Sequence, residues 1–153
     1  MLNLKTELQS QDPQIKIGFQ NRKMDFFRKN SKKETGDSGE KLAQTKLKKH
    51  GLTLVNKNYR AKIGEIDLIM RDSDYIVFVE VRVRLNNRYA SGAESVTYRK
   101  QQKIIKTAQL FLQQNPKYAD MPARFDVVDI ASGNNMEEYR IDWIKNAFQI
   151  ESV

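Results

Sequence analysis

The sequence predicts an α/β domain, a mixed β-sheet of about five strands flanked by helices in the order αβββαββ, from three observations. Segments dense in Val, Ile, Phe and Tyr recur between turn residues, three in succession and two near the end of the chain. Two stretches carry apolar residues at helical spacing, one before the first strand and one between the third and fourth. The third strand, with Val77, Phe78, Val79 and Val81, is apolar on both faces, as suits a strand covered from both sides.

The elements follow in order. Up to about Glu34 the chain is rich in Gln, Asn and Lys with isolated apolar residues, which reads as a polar extension (1–34) ahead of a domain at 35–153. A helix is expected from Asp37 or Ser38, where TGDSGE offers an N-cap, to KKHG, with cations in its last turn and Gly51 as its stop. LTLVNKNYR is a strand. EIDLIMRD and YIVFVEVRVR form a hairpin across Ser73 and Asp74, and NNRYASGAES is a loop. From Thr97 to Gln114, Lys100, Ile104, Ala108, Phe111 and Leu112 mark one helix face, and Asn115 and Pro116 end it. ARFDVVDI and EYRIDWI, separated by the turn SGNN, complete the sheet.

The 153 residues suit one domain, and no apolar run approaches the roughly 20 residues of a membrane span. The chain has no cysteine for disulfides or thiolate metal sites, and it has no secretory leader pattern, so cytoplasm is the expected compartment. Lys and Arg number 27 against 19 acids, a formal charge of +8 that favours a polyanionic partner, nucleic acid first.

The hairpin carries the chemistry. If it turns on Ser73 and Asp74, Ile69 faces Phe78, Asp67 faces Glu80, and Glu65 faces Arg82. Opposed carboxylates at the cross-strand spacing of about 5 Å repel, so Asp67 and Glu80 require a proton or a cation between them. Mg²⁺, held by one or two carboxylates with waters and substrate phosphate, fits that requirement. The alternative is that each acid has its own basic neighbour.

The spacing D-x(12)-E-x-R resembles the PD-(D/E)XK signature of restriction-endonuclease-like folds. More specific are TGDSGE, NYRAKIGEIDLIM, VFVEVRVR, SVTYRKQQKIIKTAQLFL, RFDVVDI and WIKNAF, which in that order resemble the YraN family of uncharacterised bacterial proteins from about Thr35 to Phe148. The resemblance implies a nuclease-like fold akin to Holliday-junction resolvases and a metal-dependent endonuclease. It places Asp67 and Glu80 at the acids that bind Mg or Mn, and Glu40 at the helical acid such nucleases often add. Because resolvase-like folds commonly act as dimers, it also implies a homodimer.

Arg82 departs from the signature's Lys. An ammonium can position water and stabilise the phosphorane, whereas Arg keeps its proton and supplies only charge. Lys100 is a replacement candidate because it extends the Ile104 and Ala108 face by a turn toward the sheet, with Lys103 or Gln101 in its place if the helix is rotated. Glu40 keeps two expected roles, capping box or metal site. Arg82, Arg84, Arg88, Arg99, Lys100 and Lys103, with Tyr89 and Tyr98, form a basic stretch suited to phosphate. His50 is expected at a helix terminus, and Asp126 and Trp143 in packed strands.

Overall fold

The computed structural model describes residues 32–84, 96–132 and 139–150. Helix α1 (Lys32–Lys49) leads into β1 (Thr53–Arg60), β2 (Glu65–Asp72) and β3 (Tyr75–Arg84). Helix α2 (Tyr98–Gln114) and a 3₁₀ turn (Pro116–Tyr118) precede β4 (Ala123–Ser132) and β5 (Tyr139–Phe148). The five strands lie in chain order, every neighbouring pair antiparallel except β3 and β4. A parallel pair needs a crossover, and α2 is that crossover. The αβββαββ expectation is met.

Alternation along β3 divides the core. Val77 and Val79 join Ala43 and Leu47 of α1, Leu68 and Met70 of β2, and Val128 and Ile130 of β4. Ile76 and Phe78 meet Ile104, Ala108 and Phe111 of α2 together with Phe125 and Val127 of β4. Each fully buried side chain of this size contributes about 1.5–3 kcal/mol relative to exposure. The ring of Phe78 stacks on Phe125 at 5.5 Å and meets Phe111 edge-on at 6.0 Å, fixing α2 over the middle of the sheet.

Helix ends show which signals were sufficient. Gly51 adopts φ +90, with Gly51 N–H donating to Lys48 O and Leu52 N–H to Leu47 O at 3.0 and 3.2 Å, the double bond of a Schellman stop. The Thr97 hydroxyl accepts the Lys100 N–H at 3.3 Å and starts α2 where expected.

The start of α1 is a correction. The helix begins at Lys32, so Asp37 and Ser38 lie inside it and Glu40 sits two turns in, not in a capping box. Lys32 to Glu34, assigned above to the extension, belong to the helix as well. Glycine within a helix costs only about 1 kcal/mol, and here Gly39 is where α1 crosses β3. A Cβ on Gly39 would lie 2.4 Å from Val83 Cγ2, so the missing side chain lets helix and strand touch. The rest of the 1–34 extension, the whole NNRYASGAES loop and the SGNN turn beyond Ser132 fall outside the described residues.

Candidate active site

The β2–β3 ladder runs from Asp72↔Tyr75 to Leu68↔Val79, the register expected from the two-residue turn, with Ile69 opposite Phe78. It ends one rung before Asp67 and Glu80. There the Asp67 carboxylate replaces a backbone partner, and its Oδ2 accepts the Val81 N–H at 2.7 Å.

Both flanking strands change face at this point. Lys57 and Leu68 are paired and lie on the α1 side, where Lys57 reaches Glu40 and Leu68 enters the α1 core. The next pair, Tyr59 and Ile66, packs on the α2 side. Between them Asn58 takes the left-handed conformation at φ 53, opposite Asp67. A left-handed residue interrupts strict two-residue alternation. Asp67 thus stands at the seam where influences from both helices meet.

Glu80, 4% exposed, projects from the α2 face of β3. Lys100, in the first turn of α2, donates its ammonium to Glu80 Oε1, and Arg82 Nη1 lies 3.7 Å from the same oxygen. Gln101 is turned to the Val96 carbonyl at 2.9 Å, and Lys103 lines the neighbouring cleft, so the helix phase brings Lys100 and neither alternative to the acids.

Burial first, and then the charge of Glu80, push the Asp67 carboxyl up to about 7 from an ordinary 3.8. The Val81 N–H and the Lys100 ammonium pull the other way, and Glu40 adds a smaller upward push from α1.

Glu40 has one buried oxygen, Oε2, with no hydrogen bond, and its nearest cation is Lys57 Nζ at 3.5 Å. Among the described residues no three acidic or histidine side chains converge closely enough to share one ion. Glu40, expected among the metal ligands, is therefore not in a direct ligand set with Asp67 and Glu80. The donor chemistry fits a hard divalent cation such as Mg²⁺ or Mn²⁺: two neighbouring carboxylates, one too basic for its surroundings, and a third carboxylate oxygen left without a donor.

Two expected contacts are redirected. Glu65, expected opposite Arg82, is exposed and has Arg60 at 3.7 Å, while Arg82 turns to Glu80. Arg84 is held by the buried Asp129 in a fork, its Nε donating to Oδ1 at 2.8 Å and its Nη2 to Oδ2, so its charge is engaged inside the protein and not offered to phosphate. Arg88 falls outside the described residues.

Arg99, Lys100 and Lys103 line a cleft of about 680 Å³ between the start of α2 and the β1–β2 turn. The opposite wall holds Arg60, Lys62 and Ile63, which sequence reasoning passed over. Their signal was the string RAKIG: two cations around a turn read as connection, and only folding sets it against α2.

Elsewhere the acids are structural. Asp126, fully buried, accepts from Arg124 Nε and Trp143 Nε1 at 2.9 Å each and from the Asn146 N–H at 2.9 Å, locking β4 to β5. His50 Nδ1–H donates to the Lys46 carbonyl, 2.9 Å away, and the ring packs edge-on against Trp143.

Fold and site together define an α/β protein with a five-stranded mixed sheet and two neighbouring carboxylates, one buried and one half-buried, served by a helix-borne lysine. Within that class the chain belongs to the uncharacterised protein family UPF0102, whose family model matches residues 39–130. It is similar to a UPF0102 protein of Saccharophagus degradans, 50% identical over 117 residues covering 76% of this chain and 94% of that protein. A UPF0102 protein of Clostridium botulinum is 41% identical over 118 residues, 77% of this chain and 96% of that one. One from Pseudomonas aeruginosa strain LESB58 is 42% identical over the same length, covering 94% of its chain. The match takes in the seam, both acids and Lys100.

Proposed function

We propose that this protein is a metal-dependent phosphodiesterase acting on nucleic acid, DNA foremost, with Asp67 and Glu80 holding Mg²⁺ or Mn²⁺. The observation that carries this reading is the Lys100 ammonium placed on Glu80 Oε1 beside an Asp67 whose carboxyl is pushed up to about 7.

A divalent ion at these acids would supply Lewis-acid polarisation of the phosphate and water activation. The chain's own groups do the rest. The Val81 N–H fixes one Asp67 oxygen and leaves the other free to ligate. Lys100 takes the part that the signature gives to the residue at Arg82: it is a compact ammonium, able to orient water and meet charge developing on phosphorus. Arg82, close to Glu80 yet a third exposed, offers a fixed cation to a phosphate oxygen. Glu40, paired with Lys57, adds negative charge from the α1 side.

The test is cleavage of a four-way junction, a single strand and a linear duplex with Mn²⁺ by wild type, Asp67→Asn and Glu80→Gln. Cleavage by wild type alone supports the proposal. Equal cleavage by all three identifies a contaminant, and binding without cleavage by wild type identifies a nucleic-acid-binding module without chemistry.

A further inference from the structure

The β1–β2 connection is a closed turn: Ala61 N–H donates to Gly64 O at 2.9 Å and Gly64 N–H to Ala61 O at 3.2 Å. Lys62 and Ile63 are left at the tip. The turn is braced against α2, because a Cβ on Gly64 would come within 3.1 Å of Thr107 Oγ1 and 3.6 Å of Lys103 Cβ. Ile63 is 44% exposed there.

Across the cleft α2 presents Arg99, Lys103 and Lys106 at helical spacing, with Tyr98 62% exposed beside them. The inner part of this groove ends at Lys100 and the outer part at Lys106, and Ile63, Arg99 and Lys103 line both. Glu65 is the only acid on either lining among the described residues.

One groove therefore combines a backbone-tracking row of cations with two exposed groups that offer flat or apolar surface. Cations alone would suit any polyanion. Tyr98 adds a stacking platform, and Ile63 on a braced tip is the type of wedge that inserts between base steps. The inner part of the groove, about 680 Å³, is on the scale of a compact ligand such as one or two nucleotides.

We infer that this groove receives a single-stranded stretch of nucleic acid, an unpaired base lying against Tyr98 and Ile63 while its phosphates run along Arg99 and Lys103 toward Lys100. Resting on the phosphodiesterase reading, it makes an unpaired nucleotide beside the scissile phosphate the feature that selects substrate.

Binding in EDTA tests the groove apart from any cleavage. Fluorescence anisotropy of the full chain is measured against a blunt duplex, a forked duplex and a single strand with equal numbers of phosphates, 2-aminopurine marking the unpaired position. Wild type is expected to prefer the fork and the single strand by roughly tenfold, the scale of one stacked base, with a change in 2-aminopurine emission. Ile63→Ser and Tyr98→Ala, both exposed and so neutral for folding, should each reduce that preference and leave the salt slope unchanged. Arg99→Ala or Lys103→Ala should weaken binding of the fork and the single strand and lower their salt slope by about one, with a smaller effect on the blunt duplex.

Equal wild-type affinity for fork and duplex, or an undiminished preference in Ile63→Ser and Tyr98→Ala, overturns the inference. Because anisotropy is read in EDTA and cleavage only with Mn²⁺, absence of cleavage with the preference intact overturns the nuclease reading alone, and absence of the preference overturns this one.

Discussion

Asp67 shows what a carboxyl does where burial and a neighbouring acid act together. Its folded value, about 7, lies above the ordinary 3.8, so between those values the folded protein holds a proton that the unfolded chain has released. Stability from this group is therefore fully present below about pH 4, falls as pH rises toward 7, and is lost above it. Asp67→Asn keeps an acceptor for the Val81 N–H and carries no charge. In EDTA it should be more stable than wild type by roughly 1–4 kcal/mol at pH 8, with the difference gone near pH 4. Denaturant melts at the two pH values check this, and a gain that ignores pH would contradict it. Lys100 and Arg82 divide a second question at this scale. Lys100→Ala should lower Mn²⁺-dependent cleavage by about 10²-fold or more, the usual loss on removing a group that meets transition-state charge, and Arg82→Ala by less. Single-turnover rates on one substrate separate them, and the reverse order would return the role to Arg82.

At the scale of elements, α1 and β3 meet at a point contact that glycine makes possible. Gly39→Ala would press a methyl against Val83 and should cost about 1–3 kcal/mol, while Val83→Ala in the same chain should recover part of the loss. A double-mutant cycle measured by denaturant unfolding shows whether the two changes couple; simple additivity would place the crossing elsewhere. The β4–β5 lock makes a larger claim. Asp126→Ala leaves Arg124 and the Trp143 N–H without their buried acceptor and should cost about 3–5 kcal/mol, visible as a lowered unfolding midpoint. The sequence made most of these elements legible because their signals are local: Gly51, Thr97 and the Ser73–Asp74 turn each act within a few residues. The start of α1 was misread for the opposite reason. TGDSGE has every local mark of a cap, yet the segment runs on as helix past Gly39, which packs on Val83, a residue far along the chain that no local signal reports.

Over the whole molecule, the formal charge of +8 is not spread as free cations. Arg84 is tied to Asp129, and Arg124 to Asp72 and Asp126, whereas Arg60, Lys62, Arg99, Lys100 and Lys103 gather on one cleft. Nucleic-acid affinity should therefore fall with salt at a logarithmic slope of about −2.8 to −3.5, as expected for four or five neutralised phosphates on a single strand. Titrations from low to moderate salt measure it. A slope near zero would favour a scaffold whose acids serve only salt bridges. No helix among the described residues is long and apolar enough to cross a membrane.

The fold class and the hairpin register from Asp72↔Tyr75 to Leu68↔Val79 were legible in the sequence, because a two-residue turn and two-residue alternation leave one pairing that far; the place of Asp67, where alternation breaks beside Asn58, was not. Three matters were decided only by tertiary structure: that Lys100 and not Lys103 reaches Glu80, that Arg84 is spent on Asp129, and that the RAKIG turn becomes a wall of the cleft. Periodicity gives a helix its inner face but not its height or rotation over a sheet. Those follow from packing, where Gly64 against Thr107 and Phe111 against Phe78 set α2 in place.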